Sequence, residues 1–306
     1  MSNRHWSDRF LGSVAGKCIL GLIILSTVFL IVNHRPRPAA PLPPIHGVGV
    51  ITAALDRQVA ARGQSLEVFY TLTLRTTEPR TGILLPSRPG SPLMIYHYVT
   101  TPTLRYLEEN DYGPGGRLRA THTYFVDRAT GKCTNLHRQV LSGTWSNSAA
   151  IGTRLGFFFS CLDLLDPLEL RLTFHSVREW LARGFLRPVN EEIDGHQCYC
   201  VDAVEDNLNG TIQIWVDPAI GYMPRRVAVA TPQGACEDSI DYSEYKEVAS
   251  GVWYPMRAEI KGYGGRNGRV DVVNYLVASK VALGKKFSRS QLEPVIPPGT
   301  RTITRP

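Results

Sequence analysis

The chain has 306 residues, of which 43% are hydrophobic and 20% are charged, so it can bury a core and is not a disordered polymer. Its formal net charge of +7 favours anionic partners. The basic residues are spread along the chain rather than clustered, which argues against a nucleic-acid partner. We therefore expect a globular protein of one or two domains that does not bind nucleic acid.

The N-terminal part of the chain carries an uncharged apolar run, Cys18 to Val32. Extended to residues 11–33, the run reaches the length of a spanning helix, because its one charge, Lys17, can extend to the interface. Three basic residues precede the run and two follow it closely, which favours a cytoplasmic N-terminus for residues 1–10. We predict a single-pass signal anchor. A cleaved signal peptide is the alternative, although the small residues lie far past the run.

A proline-rich linker, residues 34–46, follows the predicted anchor. Proline at this density favours the extended polyproline II geometry of a semi-rigid spacer. The next segment, Val50 to Arg62, has helical periodicity, with Ile51 and Leu55 on one face, and Gly63 ends it. The sequence therefore predicts a spacer followed by one amphipathic helix.

The remainder of the chain is mostly strand-like, with alternating and β-branched residues. The turn signal Asp127 to Gly131 joins two such segments into a predicted hairpin. Ser176 begins a capping box, which predicts a short helix to about Phe185. The prolines of residues 285–306 predict an extended C-terminal tail. The predicted strands are 66–75, 93–100, 118–128, 132–141, 196–204, 211–216, 225–230, 239–248, 253–262 and 269–282.

Two turn motifs stand in the C-terminal half of the chain. The first has the pattern W-x-D-P-x-x-G-x-x-P, and the second ends in G-V-W-Y-P. Their residues are Trp215, Asp217, Pro218, Gly221 and Pro224, then Gly251, Trp253 and Pro255. Together with the N-terminal helix, these motifs resemble the LolA/LolB-like superfamily of outer-membrane lipoprotein-sorting proteins. The similarity extends over residues 47–284 in layout.

The resemblance implies a mainly β (α+β) fold: an open antiparallel β half-barrel of about ten or eleven strands, capped by a few helices. It also implies a binding protein for lipid or lipoprotein acyl chains, with no cofactor and no catalysis. The family's carrier is free in the periplasm and its acceptor is held by a lipid on cysteine, whereas this chain has a predicted anchor. We therefore expect a membrane-anchored variant at the inner membrane, with its domain in the periplasm. Protein partners are not indicated.

Two other functions are kept open by the sequence. One is a structural, interaction or sensor module of a cell-envelope complex. The other is a hydrolase, whose catalytic residues can assemble from distant positions. The chain lacks the G-x-S-x-G, phosphate-loop and H-E-x-x-H patterns, so we expect no enzyme.

The candidate ligand-contacting residues are apolar and aromatic, and core packing is the plain alternative for each. The apolar insertion from Gly152 to Phe185 provides most of them and is suited to capping a concave sheet. The candidates are Trp145, Phe157, Phe158, Phe159, Leu162 and Trp180.

The pattern His196-Gln-Cys198-Tyr-Cys200 places one histidine and two cysteines on one strand face, as zinc ligands are placed. No second pair stands at zinc-finger spacing, so we expect structural cysteines and no metal. Five cysteines follow the predicted anchor, which allows at most two disulfides and leaves their pairing open.

Overall fold

The computed structural model describes residues 42–45, 47–63, 65–76, 93–141, 144–152, 166–172, 175–205, 210–231, 236–264 and 269–305. Leu42–Pro306 form one compact unit. The predicted anchor, residues 11–33, lies outside the described residues. No helix within the described ranges is both long and apolar enough to span a bilayer.

Three α-helices are found in the described part of the chain: α1 (Gly49–Ala61), α2 (Val177–Arg183) and α3 (Arg289–Leu292). The predicted N-terminal helix is confirmed by α1, which buries Ile51 and Leu55. The capping box of α2 is also confirmed, since the Ser176 hydroxyl accepts from the Glu179 N–H and the Glu179 carboxylate accepts from the Ser176 N–H. This helix ends two residues earlier than predicted.

The described residues form seventeen strands. They are β1 (Leu66–Thr76), β2 (Leu93–Thr100), β3 (Leu104–Tyr112), β4 (Leu118–Asp127), β5 (Cys133–Leu141), β6 (Thr144–Gly152), β7 (Arg171–Leu172), β8 (His175–Ser176), β9 (Phe185–Leu186), β10 (Glu191–Ile193), β11 (His196–Glu205), β12 (Gly210–Asp217), β13 (Met223–Ala230), β14 (Cys236–Ala249), β15 (Val252–Gly264), β16 (Arg269–Leu283) and β17 (Arg301–Arg305).

Fifteen of these strands make one large sheet in the order β10-β11-β12-β13-β14-β15-β16-β1-β2-β3-β4-β5-β6-β17, with β9 beside β11. Strands β7 and β8 form a separate pair. The sheet is open, because the described residues contain no pairing between β10 and β17. All its pairs are antiparallel except β17 with β6, which is parallel.

The prediction of about ten or eleven strands, all antiparallel, was wrong, because the sheet has fifteen strands and one parallel pair. The sheet is mixed because β17, which lies in the predicted extended tail, pairs with β6. Strands β3 and β6 also escaped detection. The first carries consecutive acidic residues and the second is rich in serine and alanine, and both compositions are unfavourable for strands in isolation. Cross-strand pairing and burial in the large sheet override that local preference.

The two faces of the sheet have different covers. We call one face of the sheet the inner face. It carries Leu66, Val68 and Tyr70 of β1 and the residues that lie opposite them on the neighbouring strands. Helices α1 and α2 pack on this face, and Trp180 and Leu181 of α2 join the main apolar core. On the opposite, outer face, the chain after β16 packs a small second core. That core contains Val99, Leu104, Phe125 and Leu292, with Phe287 against it.

Candidate functional site

The two turn motifs meet at α1 through a single side chain. The Gln58 side-chain carbonyl accepts a hydrogen bond from the Trp253 backbone N–H at 3.1 Å. Its amide nitrogen lies against Gly221, where an added Cβ would come within 2.3 Å of it. Gly221 has φ +69°, which favours glycine at this turn. The motifs that carry the family resemblance therefore hold the helix on the inner face.

The first turn is itself held by a buried carboxylate. Asp217 accepts from the Ala219 N–H at 2.8 Å and from Arg225 Nε at 2.9 Å. Both Asp217 and Arg225 are almost fully buried, so their charges are paired away from water. The aspartate thus caps the turn as its sequence position predicts.

A buried ion pair lies beyond the end of α1. Arg62 Nη1 donates to Asp166 Oδ2 at 2.6 Å, and the side chains are 8% and 0% exposed. Burial opposes the charge on Arg62, but the Asp166 carboxylate outweighs it and holds the guanidinium pKa above its ordinary value. Asp166 also accepts from the Leu168 N–H at 3.1 Å and so orders the chain around it.

Buried tyrosines surround this ion pair on the inner face. The hydroxyls of Tyr70 and Tyr254 are hydrogen-bonded to each other. The Arg62 guanidinium lies 5.7 Å from the centroid of the Tyr254 ring, within cation–π range. Burial raises the pKa of both tyrosines well above the ordinary value, so they remain neutral hydroxyls at any physiological pH. The centre of the inner face is therefore polar inside an apolar shell.

A second layer of charge lies next to the ion pair. The Glu169 carboxylate accepts from Arg105 and from Arg128, the latter at 3.3 Å. Burial would raise the pKa of Glu169, but Arg105 and then Arg128 hold it below its ordinary value. With Arg62 and Asp166, this makes three guanidinium groups and two carboxylates in the cluster that the described residues form. The formal charge of that cluster is +1.

A row of polar side chains continues across the inner face from Tyr96 on β2. Register places Tyr96 opposite Glu109, Glu109 opposite His122, and His122 opposite His137. The two imidazole rings stack with centroids 3.9 Å apart. Burial, and then His137, lowers the pKa of His122, and burial lowers that of His137. Burial beside Asp111 raises the pKa of Glu109, so this row favours neutral side chains.

We expect the free energy of unfolding to fall as the pH is lowered from about 7.5 to about 5.5. Above the ordinary histidine pKa, both states are neutral at His122 and His137. As pH falls through that value the unfolded chain takes up protons first, because the folded pKa values are lower. Urea unfolding at both pH values, compared between wild type and the His122→Asn/His137→Asn double variant, measures the contribution. If the free energy of unfolding changed equally with pH in the two proteins, this prediction would be contradicted.

The structure places the predicted ligand-contacting residues in different environments. Trp180 is fully buried in the main core, with the His175 ring edge-on to it at 5.1 Å. Trp145 lies on the outer face, 45% exposed, with the Arg138 guanidinium 5.3 Å from its ring. The others, Phe157, Phe158, Phe159 and Leu162, lie outside the described residues. Ligand contact by these six residues stays a prediction.

The cysteines of β11 lie on the outer face against Trp215. Burial raises the pKa of both Cys198 and Cys200 to about 12, so they are protonated thiols. Within the described ranges, Cys198 and Cys200 are free of disulfide bonds. His196 turns instead to Asp217, its Nδ1 at 3.4 Å from the carboxylate. The described side chains include no group of three or more potential ligands arranged to hold a metal.

Sequence reasoning missed the ion pair, the tyrosines and the histidine row. One signal was available for the row. A hairpin around the predicted turn at Asp127 to Gly131 brings His122 to within one residue of His137, and the observed register pairs the two directly. The Arg62–Asp166 pair joins positions 104 residues apart, and no local pattern indicates it.

Comparisons with known proteins show a similarity in fold alone. No protein-family model matches the sequence, and no curated protein matches it. A DUF1329 family protein from Desulfovibrio piger is similar over 80% of this chain and 99% of its own, with 9% identity and a TM-score of 0.50. A LolA superfamily protein from Nitrosomonas europaea is similar over 80% and 98%, with 13% identity and a TM-score of 0.43. The solved structures similar to this chain in fold thus include one of the LolA superfamily, the superfamily that the turn motifs resemble.

Proposed function

We propose that this domain binds an apolar or amphipathic ligand on the inner face of its sheet, without chemistry. Lipid or lipoprotein acyl chains are the ligand class that the resemblance to the LolA/LolB-like superfamily implies. One observation carries the proposal: the inner face passes continuously from an apolar core beneath α1 and α2 to a half-buried mixed surface on β2 to β5.

The chemistry of that mixed surface suits an amphiphile. Met94 and Tyr124 are partly buried and pack against the edge of the main core. Methionine adapts to irregular apolar partners, and tyrosine combines an apolar ring with a polar tip. Beside them stand Glu109 and His122, which can fix the polar part of a ligand. Binding sites for small molecules have this composition, mostly apolar with a few placed polar groups.

In this proposal the predicted anchor, residues 11–33, holds the domain at the inner membrane on the periplasmic side. A short proline-rich linker then keeps the domain close to the bilayer. A tethered domain cannot shuttle freely, so the proposal is a membrane-side binding role rather than that of a free carrier. The anchor is tested separately from the fold, by membrane fractionation and alkaline extraction of the full chain.

We expect the full chain, purified in an amphipathic polymer, to bind a lipid of about 18 carbons such as cis-parinaric acid. Fluorescence titration measures the affinity, and native mass spectrometry detects lipids that co-purify. Tyr124→Glu on the inner face should weaken binding by about tenfold or more, because it puts a charge into the apolar part of the site.

Val140→Glu is the matched control, because Val140 is exposed on the outer face of the neighbouring strand β5. It adds the same charge and should leave the affinity unchanged. Absence of both co-purified lipid and fluorescence enhancement in the wild-type protein would refute the proposed function. Equal losses in the two variants would place the ligand elsewhere.

A further inference from the structure

The guanidinium of Arg62 has an unused hydrogen-bonding edge. Its Nη1 is engaged by Asp166, yet among the described residues Nε and Nη2 have no hydrogen-bond partner. The residue is 7% exposed, so water does not readily take their place. A buried charged donor without a partner is costly, and native proteins keep few of them. Such an edge therefore calls for an acceptor that is not part of the described chain.

The geometry of that edge specifies the acceptor. Nε–H and one Nη–H of arginine point in parallel, and they match the two oxygens of a carboxylate or a phosphate. A single carbonyl or hydroxyl oxygen would satisfy only one of the two donors. Since Asp166 occupies the other side of the guanidinium, the free edge is the bidentate one.

The charge of the surroundings favours an anion. The cluster of Arg62, Arg105 and Arg128 with Asp166 and Glu169 carries a formal +1. One bound oxyanion would neutralise it. The neutral hydroxyls of Tyr70 and Tyr254 lie in the same cluster and add no opposing charge. The ring of Tyr254 lies within cation–π range of the guanidinium and so favours its present position.

We infer that the ligand is an anionic amphiphile whose carboxylate or phosphate binds the Nε–Nη2 edge of Arg62, while its acyl chain lies on the apolar inner face. The inference rests on the proposed function and names the head group of the same ligand. Carboxylate and phosphate share the required chemistry, since each presents two oxygens to the edge.

The test compares ligands with one acyl chain and different head groups on the full chain in amphipathic polymer. Oleate, oleyl alcohol and oleoyl lysophosphatidic acid are titrated by native mass spectrometry. We expect oleate or the lysophosphatidic acid to bind about tenfold or more tightly than the alcohol, the usual gain of a charge-assisted pair. The tighter of the two anions identifies the head group as carboxylate or phosphate.

Arg62→Lys is the informative variant, because lysine keeps the charge beside Asp166 and lacks the bidentate edge. It should abolish the preference for the anion while the alcohol still binds. Arg178→Lys is the matched control, since Arg178 lies in an exposed ion pair with Asp56, outside the cluster. It should keep the preference. Circular dichroism checks that both variants fold.

The outcomes separate the two proposals. Equal affinity of the wild-type protein for oleate, lysophosphatidic acid and oleyl alcohol overturns the inference and leaves the proposed function standing. This comparison needs no variant, so it holds even if Arg62→Lys does not fold. Binding of none of the three lipids overturns both proposals. An anion preference that survives Arg62→Lys assigns the head group to another residue and overturns the inference.

Discussion

Replacing Gly221 with alanine is expected to lower the free energy of unfolding by about 2–4 kcal/mol. The residue has φ +69°, where any side chain is strained, and the new methyl group would lie 2.3 Å from the Gln58 amide nitrogen. Gln58 cannot simply swing away, because its carbonyl holds the Trp253 N–H. Chemical unfolding followed by circular dichroism measures the loss.

Gly251→Ala is the control for this prediction. Gly251 has the same φ of +69°, but an added Cβ would have nothing within 4 Å. It should therefore cost only the strain of the left-handed backbone, about 1 kcal/mol. In the Gln58→Ala background, Gly221→Ala should cost about the same as Gly251→Ala. Equal losses for the two glycine variants in the wild-type background would show that the contact with Gln58 contributes nothing.

Removing the charge of Asp166 is expected to cost about 3–5 kcal/mol of stability. The substitution Asp166→Asn keeps the size of the side chain and an acceptor for the Leu168 N–H, but it leaves the Arg62 guanidinium buried and unpaired. An uncompensated charge in an apolar surrounding is among the largest single penalties in a folded protein. Thermal and chemical unfolding of the variant measure it.

Two further variants define the mechanism of that loss. Asp56→Asn breaks the exposed Asp56–Arg178 pair and should cost less than about 1 kcal/mol, because solvent screens it. The double variant Arg62→Met/Asp166→Leu removes both buried charges and should be closer to wild type than Asp166→Asn alone. A double variant less stable than Asp166→Asn would show that the pair stabilises beyond mutual compensation of charge.

The elements with a strong local pattern could be predicted from the sequence. Helix α1 has apolar periodicity, the Ser176 capping box defines α2, and the turn at Asp127 to Gly131 defines the β4–β5 hairpin. In each case a few neighbouring residues contain the whole signal. The turn motif around Asp217 belongs to the same class, since its cap, proline and glycine follow one another directly.

Elements that depend on contacts between distant parts of the chain could not be predicted from local sequence patterns. Strand β3 has three acidic residues in nine and becomes a strand because β2 and β4 pair with both its edges. Strand β17 pairs with β6 across about half the chain, and nothing in its five residues specifies that partner. The Arg62–Asp166 pair likewise joins residues that are far apart in the sequence.

The sheet has a seam between its two halves. Strands β1 to β6 and strands β10 to β16 each follow one another as chain neighbours, and the halves join where β1 pairs with β16. Leu66 of β1 therefore lies opposite Leu283, more than two hundred residues later. During synthesis, β1 keeps one edge without this partner until β16 has left the ribosome. We expect the domain to complete its fold only after β16 has been synthesised, and to remain a set of separate hairpins before then.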